Sequence, residues 1–395
     1  MSAPDPSRHF GTLSRRALLA GGLSAFISRP GRAEDALEAG KLAGGRLGYG
    51  GASPGPVLRG KVGEPLRLTL VNGLDTPTSF ALSGLRAESA FPGLTATLLA
   101  PGERRALILI PAEPGFALYG AYDRAASVGL FGAVVIEETA PPPVDLDAVA
   151  LFSGEATAFR VNGAAPPLTL AARPGARVRL RLAHIGTDAL LALEAPPGVQ
   201  VVAIDGQPCE MFTPAAGALP LTPSARFELL FDLGDAPAGF NIDGRPALRF
   251  VPSGVRAAAR PPIAPLPANP RLPVEIALEK ALRVTVKLSE FAINGVSGAD
   301  WPRIPLFQAR RGQPVVLRLT NQTLTAQTMR LEGHWARQLH NLDDGWDPYW
   351  RDALHVDAGR TLHAAFVADA PGKWPLASAS PDSRAKGLAT WFQVA

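Results

Sequence analysis

Cysteine is almost missing from the chain: Cys209 is the single thiol among 395 residues. No intramolecular disulfide can form, and no Cys-x-x-Cys pair exists for zinc or redox work. The thiol reads as a small buried apolar group. Histidine is scarce too, with six in the chain. No run of 18 consecutive apolar residues occurs, which excludes a membrane-spanning helix and leaves a mature chain expected to be soluble. An excess of one charge is also lacking once the N-terminus is set aside. Residues 1–33 hold Arg8, Arg15, Arg16, Arg29 and Arg32 against Asp5 alone, and beyond them bases and acids balance at 34 each. The basic character belongs to that stretch, and nucleic acid is excluded as an expected partner.

Glycine and proline are plentiful, at 40 and 39 residues. They break helices and supply turns, so many short strands and an all-β class are expected. A hydrophobic content of 47% over this length can core several domains. The N-terminus carries an address. Arg15-Arg16 precedes the apolar run Ala17 to Ile27, and Gly31-x-Ala33 follows it. Such a run is too short to span a bilayer, and its flanks fit an export signal cleaved near Ala33. The paired arginines make it a signal of the twin-arginine type. Export by that machinery to the periplasm is expected, with residues 1–33 as the signal peptide and the mature chain starting near Glu34.

The body repeats three times. A glycine, alternating apolar and polar residues, then an amide or imidazole nine positions on occur as Gly63 to Asn72, Gly175 to His184 and Gly312 to Asn321. This spacing predicts one turn and one half-buried strand built three times. Val161-Asn162-Gly163 and Ile293-Asn294-Gly295 predict tight hairpins. Proline clusters at 141–143 and from Arg260 to Pro273 serve as spacers, not central strands. Three β-sandwich domains over 41–144, 145–264 and 265–395 account for the body.

This organisation resembles the three-cupredoxin-domain multicopper oxidase family, which implies three cupredoxin-like Greek-key sandwiches in tandem. Its members hold a type 1 copper with two His and a Cys, and a trinuclear cluster with eight His. Thr78-Ser79-Phe80-Ala81-Leu82-Ser83-Gly84 matches the family's Thr-Ser-x-His-Trp-His-Gly, placing Ala81 and Ser83 at ligand positions. Leu118-Tyr119-Gly120-Ala121-Tyr122 matches Trp-Tyr-His-Ser-His, placing Gly120 and Tyr122 there. Gln327-Thr328-Met329-Arg330-Leu331-Glu332-Gly333-His334 matches His-Pro-x-His-Leu-His-Gly-His, with Gln327, Arg330 and Glu332 at ligand positions. From Trp374 to Gly387 and one residue on, Ala377, Ser378, Ala379, Ser383 and Leu388 stand where His, Cys, His, His and the axial Met would be. The framework residues Gly84, Gly129, Gly132, Gly333, Trp374 and Gly387 remain.

Ala, Gly, Ser and Leu offer no copper ligand, and Arg330 sets a fixed positive charge at a cluster position. The resemblance then implies a copper-free, cofactor-free and non-catalytic member, akin to those of the family that stabilise bacterial cell division through protein partners. The alternative is a copper-binding oxidoreductase with a rebuilt site in the last third, drawing on His334, His340, His355 and His363 with Glu332, Asp343 and Asp344. All six tryptophans, Trp301, Trp335, Trp346, Trp350, Trp374 and Trp391, also lie in that third; ordinary packing accounts for most, and interface anchoring for one or two. The loop from Asn341, with Asp343, Asp344, Trp346, Asp347 and Tyr349, is the candidate partner surface. Arg177, Arg179 and Arg181 alternate, which predicts a solvated strand face.

Overall fold

The computed structural model describes residues 36–86, 97–185, 189–299, 301–339 and 345–395. The signal segment with Arg15, Arg16 and Ala33 lies outside the described residues, as do His340, Asp343 and Asp344. The strands form six sheets that pair into three sandwiches. Sheets of four and five strands take Ala36 to Glu137; sheets of six and five take Leu146 to Pro252; a second six and five take Leu282 to Val394. Each sandwich encloses its own apolar core.

The sequence repeat is the spine of each domain. Leu66–Asn72, Arg177–Ile185 and Gln313–Asn321 are its three strands. Each lies parallel to the domain's opening strand, Ala36–Lys41, Leu146–Ser153 or Leu282–Ser289. On the other side each lies antiparallel to Arg104–Leu109, Arg226–Asp232 or Thr361–Ala368. Alternation puts Leu66, Leu68 and Leu70, then Val178, Leu180 and Leu182, then Val315, Leu317 and Leu319 into the three cores. The two Asn-Gly pairs turn as expected: Asn162 and Gly163, and Asn294 and Gly295, all have φ between 50° and 79°, the left-handed pair that a two-residue hairpin turn requires.

The residue ending each repeat is a tie between sheets. Asn72 Nδ2 donates to the Leu99 carbonyl at 3.0 Å, and Asn321 Nδ2 donates to the Val356 carbonyl at 3.0 Å. His184 Nδ1 sits 3.1 Å from the Leu221 carbonyl. Each partner carbonyl lies at the edge strand of the opposing sheet, so a buried polar side chain closes the same end of all three sandwiches.

The alternating arginines overturn the expectation of a solvated face. Arg177, Arg179 and Arg181 are at most 5% exposed. They point away from their own core but into the seam with the first domain, beside the apolar cluster of Phe116, Phe131, Val135, Ala183 and Ile185. Arg179 pairs with Glu138 and Glu228, Arg181 with Asp147 and Glu228, and Arg177 with Asp232. Outward from one sandwich is inward to another. The proline-rich spacer is equally occupied: Ile263 and Leu266 cover the second domain's sheet, and Leu272, Ile276 and Leu278 cover the third's.

Candidate functional site at the domain junction

The twelve positions that the sequence resemblance matches to copper ligands are gathered by the sheets into two places. Ala81 lies opposite Gly120, and Arg330 opposite Ala377, in adjacent antiparallel strands. Ser83 of the first domain reaches Glu332 of the third, donating from Oγ to Oε1 at 2.9 Å. Arg330 lies beside that carboxylate, Nε to Oε1 3.4 Å, and beside Asp352, Nη1 to Oδ1 3.3 Å. It is buried; desolvation alone would lower its pKa, but Asp352 and Glu332 overcome this and hold the guanidinium charged. Tyr122 lies under the Arg384 guanidinium, 4.0 Å from its ring centre, and stacks on Trp301 at 5.7 Å. Arg384 Nε donates to the Tyr122 carbonyl at 2.8 Å.

The second place is apolar and self-satisfied. Gln327 Nε2 donates to Thr325 Oγ1 at 3.1 Å. The Ser378 carbonyl accepts from Arg384, and Ser378 N donates to the Leu388 carbonyl at 2.8 Å. Ser383 N bonds the Ser380 hydroxyl at the start of the short helix Pro381–Ala385. Leu388 fills the third core, and Ala379 N donates to the Thr328 carbonyl.

Around Arg330 runs a network that sequence reasoning missed. Arg226 is fully buried and joins all three domains. Its Nε donates to the Phe116 carbonyl at 2.8 Å, its Nη2 to the Asp205 carbonyl at 2.9 Å and to Asp352 Oδ2 at 2.6 Å. Asp205 accepts from the backbone of Asp352 and Ala353 through Oδ2, and its carbonyl takes Trp335 Nε1 at 2.9 Å. Burial pushes the Asp352 carboxyl up to about 6 against the pull of Arg226 and Arg330. Arg86 plugs the first domain into the third. It donates to the Gly333 carbonyl at 3.0 Å and to Asp369 Oδ2 at 2.8 Å, and lies 5.1 Å from the Trp335 ring centre. Only the acidic and basic residue types were visible in sequence; their partners are about 20 to 280 residues apart along the chain.

Two framework glycines are explained by the same packing. A Cβ on Gly84, at φ 78°, would strike the Arg226 guanidinium, and one on Gly333, at φ 71°, would strike the Trp374 ring. Both positions combine left-handed backbone with close approach.

The remaining sequence candidates are dispersed. His334 sits among Phe366, Trp374 and Phe392, with its pKa pushed down to about 3 by burial and by Arg86. His355 Nδ1 bonds Thr328 Oγ1 at 2.8 Å, and His363 stands on the opposite face of the third domain's six-stranded sheet from its core. Of the candidate partner loop, Asp347 and Tyr349 lie in the strand Trp346–Arg351. Tyr349 packs on Phe212 of the second domain at 5.2 Å, so it is committed within the chain. Trp335 and Trp350 are buried under the spacer, and Trp391 Nε1 bonds the Pro302 carbonyl. Among the described residues, no group of three His, Cys, Asp or Glu side chains is gathered as a metal site. The residues at the matched positions do not fit copper: Arg330 is a fixed cation, the alanines, the glycine and Leu388 offer no ligand atom, the Tyr122 ring lies under the Arg384 guanidinium, and Glu332 is taken by Ser83 and Arg330.

Three tandem cupredoxin-like sandwiches meeting at a central junction define the class. Two models of the multicopper oxidase family match the chain, over residues 35–141 and 271–395, together more than half its length. The chain belongs to the multicopper oxidase family. A multi-copper oxidase from Pseudomonas thermotolerans superposes with a TM-score of 0.80 at 23% identity, over 92% of this chain and 99% of that one. Lac15 from a marine microbial metagenome gives 0.77 at 26% identity, over 91% and 99%. A multi-copper oxidase from Pseudomonas parafulva gives 0.78 at 20%, over 91% and 100%. Comparison with proteins of curated function finds no match.

Proposed function

We propose that this chain is a copper-free, non-catalytic member of its family, exported by the twin-arginine route to the periplasm. There it acts as a scaffold or stabiliser of the cell-division machinery, the role implied by its resemblance to the division protein FtsP (SufI). One observation carries the non-catalytic reading: Arg330 stands at a cluster-ligand position as part of a buried ion network with Asp352, Glu332 and Arg226. A fixed guanidinium charge at that place repels a copper cation, and its partners are used up in neutralising it. Four-electron chemistry resides in the metals, so the fold without them retains shape and surface as its assets. The rebuilt-site alternative gains no comparable support among the described residues, where His334, His355 and His363 do not converge; His340, Asp343 and Asp344 lie outside them.

The division role is tested by cell length. A deletion strain under envelope stress is expected to filament, and the exported chain with its own signal is expected to restore normal lengths. Normal lengths in the deletion strain under every stress applied would remove the division role.

A further inference from the structure

We infer that the outer face of the third domain's six-stranded sheet, around Arg283, Lys287, Arg318 and His363, docks a carboxylate-rich surface of a partner protein. The inference deepens the scaffold reading and rests on it for the existence of a partner. It begins with the internal repeat. The offset between Gly175 and Gly312 makes Arg318 the equivalent of Arg181, and strand register completes the correspondence.

In the second domain, Arg181 lies opposite Glu228, and Asp147 stands opposite the neighbouring Arg179. Both acids bind Arg181, and the face is covered by the first domain, which adds Glu138. In the third domain Arg318 lies opposite His363, and Arg283 stands opposite Val316. Each acid has become a base. Lys287, four residues further along the same strand face, adds a further cation and lines a shallow depression with Thr285 and Asn294. The strands Leu282–Ser289, Gln313–Asn321 and Thr361–Ala368 contain no Asp or Glu at all.

Arg283, Lys287 and Arg318 are exposed, and among the described residues no ion pair or side-chain hydrogen bond involves them. The remainder of the face is already covered: Val316 and Ala365 lie under Ile276 and Leu278 of the spacer. What stays open is a compact cationic half-face with Phe291 and Val296 exposed on the adjoining hairpin, a combination of charge and apolar anchor suited to a protein interface. The equivalent face of the second domain is closed by a folded protein surface, which sets the carboxylate of Glu138 on Arg179 and the guanidinium of Arg59 on Asp147. That precedent within the same chain favours an acidic protein over a lipid headgroup layer.

The test compares two double charge reversals of the mature chain. R283E/R318E alters the face, and R310E/R311E makes the same charge change at exposed positions of the same domain. Each is titrated with a fluorescent poly-L-glutamate peptide and, in parallel, with phosphatidylglycerol vesicles. The wild type is expected to bind the peptide in a salt-sensitive manner. R283E/R318E should weaken binding at least tenfold with unchanged melting temperature, while R310E/R311E stays within twofold of wild type. Absence of peptide binding by the wild type, or equal loss in both variants, overturns the inference while leaving the copper-free reading in place. Vesicle binding through Arg283 and Arg318 without peptide binding makes the face a lipid contact, and self-association abolished by R318E makes it a dimer contact; either overturns it too.

Discussion

Arg226 illustrates how one side chain holds the molecule together. Its guanidinium touches the Phe116 carbonyl of the first domain, Asp205 of the second and Asp352 of the third, with no exposed surface. Truncation would leave Asp352 buried with Arg330 as its remaining guanidinium partner. R226A is therefore expected to cost about 3–5 kcal/mol in urea unfolding, as for other broken buried ion pairs; a cost below about 1 kcal/mol would contradict the role given to it. His184 makes a pH-dependent case. Burial pushes its pKa down to about 4, while the unfolded imidazole protonates near 6.5. Stability present above pH 6.5 is thus lost as pH falls towards 4, by roughly 3 kcal/mol. H184N copies the residue found at Asn72 and Asn321, so it should fold and remove the His184 share, about half of the acid slope that the two fully buried histidines His184 and His334 produce together. His334, held down to about 3, is the other large contributor. Urea midpoints at pH 7 and pH 4.5 measure the difference; an unchanged slope would refute the assignment.

At the scale of the strand, the repeat was readable because its cause is local. Turn glycine, period-2 alternation and the terminal amide or imidazole all lie within ten residues, and they form the same spine strand in each domain. The Arg177, Arg179 and Arg181 face was misread for the opposite reason. Alternation tells which side chains leave a core, whereas the neighbour that receives them is set by contacts to Glu138 and Asp147 across a domain seam. The junction was legible only as a set of substituted positions; Ser83 meeting Glu332, or Arg226 meeting Asp352, depends on partners far apart in the chain. Glycine turns sharpen this distinction into a measurement. Gly312 and Gly333 both have positive φ, but a Cβ meets nothing at Gly312 and the Trp374 ring at Gly333. G312A should cost about 1 kcal/mol from backbone strain. G333A should cost distinctly more, about 2–4 kcal/mol, as ring displacement adds to strain. Equal shifts in melting temperature would show that the ring contact does not matter.

For the whole molecule, three domains are closed upon one another by the charges of Arg86, Arg226 and Arg330. The positions that the sequence resemblance matches to imidazoles hold Arg330, Glu332, Ser83 and Tyr122, already paired with Asp352, one another and Arg384. The shape of the family is kept by Gly84, Gly333 and Trp374, which pack against this network and the third core. The most direct measurement is the copper content of protein purified after export in copper-supplemented medium, determined by elemental analysis against protein concentration. The ion-paired junction predicts far less than one copper per chain, and unchanged thermal stability when copper is added. Copper approaching one or more ions per chain, with a rise in melting temperature on loading, would contradict it.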